Sequence, residues 1–333
     1  MRAAVFHGNG VLRVEEHPDP VVERPDDVIV EVEACGVCGS DLQILNVPPG
    51  HPSTPPVVLG HEFVGRVAAV GDAAGVRVGA RVVVDPDPKC GACHFCRTGR
   101  PAACTNILAL GVHRDGALAR YTKAPAASVY PLSEGVEATA AALIEPLACV
   151  VNGTNRAAAR PGESAIVFGA GAIGCLFIAV LKAAGAAPLI AVEPSEARRP
   201  VATAVGAEIV LSPDEFAVRR EELFPLGADI VVDAVGTRLA AAIDCAAMGA
   251  RIVLFGMNAN ALPPIRQYAI TERSLSIFGS YISNFTFPSA IRLVEQGSLP
   301  LAPIVTHVLG LEAVHEGLVL LRSGEATKVV ITP

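Results

Sequence analysis

Apolar positions along this chain fall into short blocks separated by glycine and proline. The clearest block runs from Ala165 to Glu193. An apolar run, Ala165 to Phe168, enters a glycine turn. An apolar, alanine-rich stretch long enough for a helix follows. Gly185 punctuates it, and a second apolar run, Pro188 to Val192, ends at Glu193. The pattern predicts strand, turn, helix, strand, acid. Three later runs are apolar almost throughout: Ala228 to Gly236, Gly249 to Gly256 and Leu275 to Tyr281. Such runs suit strands of a parallel sheet covered on both faces. The first part of the chain, Met1 to about Val84, reads differently. Short strand-like pieces at Val28–Val32, Val64–Val70 and Arg81–Val84 are broken by the proline and glycine clusters Pro48–Gly50 and Pro52–Pro56. A small β-barrel or sandwich fits that rhythm. After Pro288 the pattern is mixed, helix-like at Ser289–Glu295 and strand-like at Lys328–Ile331. A length of 333 residues allows about two domains.

The turn itself reads Gly169-Ala-Gly171-Ala172-Ile173-Gly174, a G-x-G-x-x-G. Gly169 permits the tight turn, Gly171 lets backbone approach a pyrophosphate, and Gly174 lets the helix pack on the strand. The helix that starts at Ala172 and Ile173 offers N–H groups and a positive dipole end to phosphates. Glu193 ends the second strand, beyond Gly174 at the separation a dinucleotide fold requires. An acid there can accept hydrogen bonds from a ribose 2′-OH and would repel a 2′-phosphate. NAD is therefore favoured over NADP. Arg198 and Arg199 follow closely; either could touch a phosphate, and surface arginine is the plainer reading. The motif with its context reads as dinucleotide binding, and a glycine-punctuated strand–helix turn with no ligand is the rival reading.

Composition narrows the field. Hydrophobic residues make up 51% of the chain, yet no apolar run reaches the roughly 20 residues of a membrane span. The N-terminus, MRAAVFHGNG, shows no signal-peptide pattern, so a cytoplasmic location is expected. A net charge of −7 opposes a nucleic-acid or anionic-membrane surface. Nine cysteines without an export signal point to metal or buried thiols and not to disulfides.

Two groups carry metal-ligand chemistry. Cys35-Gly-Val-Cys38-Gly-Ser40-Asp41 and Gly60-His61-Glu62 form the first. Cys38 and His61 are well separated along the chain and can meet only through the fold. Thiolate and imidazole are good zinc ligands, and a catalytic zinc site keeps one position open. A redox C-x-x-C, buried thiols or a core histidine are the alternatives. The second group, Cys90, Cys93, Cys96 and Cys104, puts four thiols into one short stretch, with turns at Gly91, Gly99 and Pro101. That spacing predicts a closed tetrahedral structural zinc site, with an iron–sulfur cluster as the runner-up. His94 is surplus to four cysteines. Cys149, Cys175 and Cys245 read as small buried residues.

Taken together, these motifs, with Glu145-Pro146-Leu147, resemble the zinc-dependent medium-chain dehydrogenases, nearest the sorbitol (polyol) dehydrogenase branch, in family order over nearly the whole chain. The resemblance implies an α/β chain: a GroES-like β-rich catalytic domain (1–148 and 288–333) interrupted by a Rossmann domain (149–287). It implies that Cys38 and His61 bind a catalytic zinc, that Glu62 is a ligand or close partner, and that Glu145 stands at the third protein-ligand position. Two zincs per chain follow, the second held by the four-cysteine loop. Ser40 would hydrogen-bond the substrate oxygen and Asp41 would brace His61. Val235, Gly236, Phe255, Gly256, Ser280 and Tyr281 would line the nicotinamide side. The strand at 275–281 would be the edge of a homodimer or homotetramer interface.

One departure stands out. Many relatives carry histidine three residues after the Ser40 hydroxyl, as the outer station of a proton relay; here the position is Gln43. Glutamine does not titrate near neutrality, so the proton must leave by water, the ribose or another residue such as His51. The expected activity is hydride transfer from a secondary alcohol (a polyol, sugar or cyclitol) to NAD. An NADPH-dependent ketone or aldehyde reductase, a catalytically silent zinc and nucleotide binder, and a DNA-binding zinc protein are the rivals.

Overall fold

The computed structural model describes residues 1–333. The glycine turn lies between strand and helix as its pattern predicts. The strand Ala165–Phe168 leads into the helix Ala172–Ala183, whose N-cap is Gly171. A Cβ on Gly174 would sit 2.7 Å from the carbonyl carbon of Gly169, so only glycine lets the first helical turn pack against the end of the strand. The return strand is Leu189–Val192.

These strands belong to a six-stranded sheet in which every pairing is parallel. In spatial order the strands are Ile209–Leu211, Leu189–Val192, Ala165–Phe168, Ala228–Asp233, Ala246–Leu254 and Ser276–Gly279. In chain order that is 3-2-1-4-5-6, the doubly wound arrangement, with its switch point between Ala165–Phe168 and Ala228–Asp233. The inner strands are buried on both faces: Ile166, Val167, Ile190, Val231 and Val232 have no exposed surface. Their unbroken apolar runs follow from that burial.

The rest of the chain is β-rich. A seven-stranded sheet contains Asp27–Gly36, Glu62–Val70, Arg81–Val84, Tyr121–Pro125 and Val129–Pro131. It also contains two strands from the far end of the chain, Val305–Gly310 and Lys328–Thr332. Ile331 pairs with Cys35 and Val330 with Gly36, so the tail closes onto the strand that leads to Cys38. Three further strands, Leu12–Glu16, Arg2–Phe6 and Val57–Val58, make a small sheet beside it.

The helix Ile144–Ala157 joins the two parts. Pro146 is tolerated because it lies in the first turn, and Ala158, with φ 47° and ψ 49°, ends the helix in the left-handed region. Leu143, Ile144, Leu147 and Val150 are fully buried in one core with Val64 and Val83 of the β-rich part and Val167 and Phe177 of the parallel sheet region. Each such side chain contributes roughly 1.5–3 kcal/mol by leaving water. The division expected at 148/149 falls within this helix, and that at 287/288 falls at the start of the helix Phe287–Glu295. No helix is long and apolar enough to cross a membrane.

Candidate active site

Separate stretches of chain build the first metal site. Cys38 is the N-cap of the helix Gly39–Ile44. The carboxylate of Asp41, at the third position of that helix, accepts from the Cys38 backbone N–H at 2.9 Å. This capping contact fixes the direction in which the Cys38 side chain leaves the backbone. His61 follows Gly60 and precedes the strand Glu62–Val70. Cys38, His61 and Glu62 each offer one ligand atom, and these atoms lie within 4.8 Å of one another.

Around this cluster the polar atoms are arranged for a cation. Oδ1 of Asp41 lies 3.8 Å from Nδ1 of His61, and both atoms are buried without a hydrogen-bond partner. Nε2 of His61 is 3.4 Å from Oγ of Ser40. Burial pulls the His61 pKa down, but the Cys38 sulfur, then Asp41 and Glu145, hold it well above its ordinary value. A thiolate, an imidazole and a carboxylate, with a carboxylate behind the imidazole, are the donors a zinc ion takes. The residues fit the metal.

Lys328 carries no motif in the sequence, yet it is central here. Its ammonium pairs with Glu62 and also donates to the Val37 carbonyl at 2.9 Å. Both side chains of the pair are 2% exposed. Burial disfavours the charged lysine, but Glu62 and then Cys38 hold its pKa above the usual value. Gly36 makes the pairing possible, since a Cβ there would fall 2.8 Å from Cε of Lys328. Only the closing of strand Lys328–Thr332 onto Asp27–Gly36 brings Lys328 to Glu62, so no local motif could have revealed the contact.

Glu145 faces the same cavity but lies outside the group of three close ligand atoms. It accepts from the Cys149 thiol at 3.4 Å. Burial pushes its carboxyl up to about 8, with Glu62 and Asp87 adding to the rise and His61 opposing it. Cys149 is thus more than a core filler. Glu145, Cys149, Asn152 and Arg156 recur at helical spacing and together form one wall of the cavity.

The cavity encloses about 980 Å³ between the β-rich part and the parallel sheet. Cys38, Ser40, His61 and Glu62 line one side; Val235, Phe255, Gly256, Ser280 and Tyr281 line the other. Oγ of Ser280 is buried with no partner. A second cavity of about 450 Å³ is lined by Gly169, Gly171, Glu193 and Arg198. Ala234 and Val235 line both cavities, so the two are neighbours along one path past the glycine turn. Gly236, φ 89°, shapes the backbone and lines neither cavity. Asp233, which closes an apolar run and bears no motif of its own, anchors this bend. It accepts from the N–H groups of Val235, Gly236 and Arg238 at 2.9, 2.7 and 2.8 Å.

The acid after the second strand is held tightly. Glu193 is 3% exposed and accepts from the N–H groups of Ala170 at 2.6 Å and Ser195 at 2.8 Å. Arg198 donates to the carbonyls of Ala326 at 2.7 and 2.9 Å and of Leu321 at 3.1 Å, tying the nucleotide part to the C-terminal segment. Its guanidinium also stands beside Gly171. Arg199 donates to the carbonyls of Glu193 and Pro194.

The four-cysteine lobe forms a second cluster of thiols, and its Arg100, Ala102 and Thr105 reach the cavity wall. Cys90, Cys93, Cys96 and Cys104 bring their sulfurs within 4.8 Å of one another. Cys90 lies 3.9 Å from Cys96 and 3.5 Å from Cys104. Four sulfurs at about 2.3 Å from one zinc stand about 3.8 Å apart, so this group fits the metal closely. Backbone N–H groups of Cys96 and Thr105 hold the Cys93 thiol down to about 6. His94 lies outside the cluster and meets the Arg100 guanidinium at 3.1 Å.

A doubly wound nucleotide sheet, a β-rich partner and a cysteine–histidine–carboxylate group facing each other across one cavity define a nicotinamide-dependent zinc dehydrogenase. Residues 24–134 match the alcohol dehydrogenase GroES-like domain and residues 172–296 match the zinc-binding dehydrogenase domain. The chain is 33% identical over 93% of its length to an L-threonine 3-dehydrogenase of Caldanaerobacter subterraneus subsp. tengcongensis, covering 92% of that protein. It is 30% identical over 99% of its length to a sorbitol dehydrogenase of Bombyx mori, covering 97%. A zinc-binding dehydrogenase candidate of Sinorhizobium meliloti 1021, solved with NADP bound, superposes with a TM-score of 0.93 at 31% identity, covering 100% of this chain and 99% of that one. The chain belongs to the zinc-binding alcohol dehydrogenase family, with a resemblance to its polyol dehydrogenase branch. Its cofactor is NAD or NADP.

Proposed function

We propose that this chain oxidises a secondary alcohol of the polyol, sugar or cyclitol type to its ketone, with NAD as hydride acceptor. The observation that carries the reading is the single cavity in which Cys38, His61 and Glu62 face Val235, Phe255, Gly256, Ser280 and Tyr281. Cys38, His61 and Glu62 would hold the catalytic zinc, with Glu145 on the wall of the same cavity as an alternative ligand, and Cys90, Cys93, Cys96 and Cys104 would hold the structural one. A zinc ion at the first site supplies a Lewis acid that makes a substrate hydroxyl easier to deprotonate. The nicotinamide supplies the hydride acceptor, and the glycine turn with Ala172 and Ile173 orients it.

The side chains then have definite tasks. Ser40 Oγ, beside His61, accepts the hydroxyl proton and passes it outward. Gln43 cannot titrate, so the next acceptor is water, the ribose or His51. The Nδ1–H of His51 donates to the Pro52 carbonyl at 2.8 Å, which leaves its Nε2 lone pair free, and the ring lines the same cavity. Closing of the two parts around bound substrate would exclude water and strengthen each polar contact.

Glu193 supports NAD, because its buried carboxylate would meet a 2′-phosphate. Arg220 and Arg238 line the same second cavity and are what an NADP-dependent reductase would use. Comparing kcat/KM with the two cofactors decides between them: a preference for NADP would overturn the assignment. The edge strand Ser276–Gly279, with Leu262 and Tyr268 exposed on the segment that precedes it, is the face for a second copy of the chain. Light scattering that gives a strict monomer would sink that pairing.

A further inference from the structure

We propose that Asp87 is a specificity-determining carboxylate that binds a second hydrogen-bond donor of the substrate, a hydroxyl or ammonium group next to the reacting carbinol carbon. The inference rests on the dehydrogenase reading above.

Asp87 is 8% exposed and lines the large cavity together with Ser40, His61, Glu145 and Tyr281. A comparison with Asp85, two positions earlier, shows what is unusual about it. The Asp85 carboxylate is fully used: it accepts from the Asp87 backbone N–H at 3.0 Å, from Lys89 at 3.3 and 3.4 Å, and from Ser283 Oγ at 3.3 Å. Lys89 also donates to the Asp87 backbone carbonyl and not to the Asp87 side chain. The Asp87 carboxylate itself has no hydrogen-bond donor from the protein; only its backbone is tied down, through Asp85 and Lys89.

The residue is largely buried, yet its carboxylate oxygens keep access to the cavity, where water or a ligand supplies the donors the protein does not. Here the backbone is anchored on both sides and the residue lines the cavity wall. A fixed acceptor of this kind discriminates strongly, because a substrate lacking the donor leaves it unpaired. Neither the metal cluster nor the nicotinamide side uses Asp87. It is free to read the group beside the reacting carbon. Ammonium and hydroxyl share the chemistry it accepts.

The test compares butane-2,3-diol, 3-aminobutan-2-ol and butan-2-ol as substrates for the zinc-loaded enzyme with NAD. Affinity for the NAD-loaded enzyme is measured in parallel by calorimetry. The wild type should favour the diol or the amino alcohol over the simple alcohol by roughly ten- to a hundredfold. Asp87→Leu should bring the ratio close to one. Asp87→Asn, of the same shape and a neutral acceptor, should keep part of a diol preference and lose most of an amine preference, which tells the two donors apart. Each ratio is taken within one variant, so partial misfolding cancels. A wild type with no preference, or a preference that Asp87→Leu leaves intact, overturns the role of Asp87. Loss of turnover on every alcohol with the calorimetric preference retained overturns the reaction but not the residue. Loss of both overturns both.

Discussion

The two cysteine-bearing sites make an instructive pair. The four-cysteine lobe draws all its donors from one continuous stretch, Cys90 to Cys104, and Cys90 is exposed on its surface. The cavity site draws on Cys38, His61, Glu62, Glu145 and Lys328, and its Glu62 and Lys328 are buried. In the lobe, the donors crowd one another, and their reach into the cavity is through the wall residues Arg100, Ala102 and Thr105. In the cavity, the donors have second partners: Asp41 behind His61, Lys328 on Glu62, Cys149 on Glu145. A metal in the lobe therefore acts on the folding of a local loop. A metal in the cavity meets a prearranged set of charges and an open space beside it.

Replacing one thiol in each site sharpens that contrast. Cys38→Ser should abolish nearly all turnover, about a thousandfold or more, since a Lewis acid is worth several kcal/mol in the transition state. The same variant should lose one zinc and change the melting temperature little, as read by metal analysis and calorimetry. Cys93→Ser should do the reverse: one zinc lost, a clear fall in melting temperature, and turnover reduced less. Because Arg100, Ala102 and Thr105 of the lobe also wall the cavity, KM should rise in that variant. Equal losses of turnover in the two variants would break the division into catalytic and structural sites.

The next effect belongs to the buried pair. Lys328→Met leaves Glu62 as an unpaired buried charge, which costs about 3–5 kcal/mol. Denaturant midpoints of the chelator-treated proteins should show it, because a bound zinc would itself pair Glu62. The folded pKa of Lys328 is raised above 10.5. Its stabilisation is therefore complete below that pH and is lost as pH climbs through the higher folded value. The gap between wild type and Lys328→Met should shrink only in alkali. An unchanged midpoint at neutral pH would mean that Glu62 does not depend on this lysine.

Glu145 titrates with the same sign, in a lower pH window. In chelator-treated protein its pKa is about 8 against an ordinary 4.5. The folded state then binds more protons than the unfolded one between these values, so stability falls as pH rises from about 4.5 to 8. Glu145→Gln should flatten that slope, by up to a few kcal/mol across the window. A slope that survives the substitution would assign the titration to another group.

How much of this was legible beforehand depended on distance along the chain. The glycine turn, its helix and Glu193 were readable because the motif is local and each glycine answers one steric demand, as Gly174 shows. The apolar runs gave the parallel strands because strands buried on both faces have no polar alternation to hide. Lys328 was invisible: an antiparallel pairing between opposite ends of the chain carries it to Glu62, and its own neighbours read as an ordinary strand. Asp87 was hidden for a different reason. It sits in the acidic, proline-broken run Asp85-Pro-Asp87-Pro before the first lobe cysteine, where an acid looks like turn chemistry. Only the structure shows that Asp85 takes the nearby donors and leaves Asp87 facing the cavity.

The smallest effect tests the lobe alone. His94 lies between two of the lobe cysteines and could be mistaken for a ligand by spacing. The structure puts it outside the sulfur cluster, at 3.1 Å from the Arg100 guanidinium, which also stacks 5.1 Å over the Phe95 ring. Four thiols already fill a tetrahedral shell, so the imidazole has no position left to take. His94→Ala should therefore keep both zincs and shift stability by less than about 0.5 kcal/mol, as an exposed substitution does. Metal analysis after mild chelation makes the measurement strict, because a histidine ligand would release zinc faster once removed. Retention at the wild-type rate confines the lobe site to its four cysteines. Faster release would make the lobe a mixed site, and its difference from the cavity site would then narrow to exposure alone.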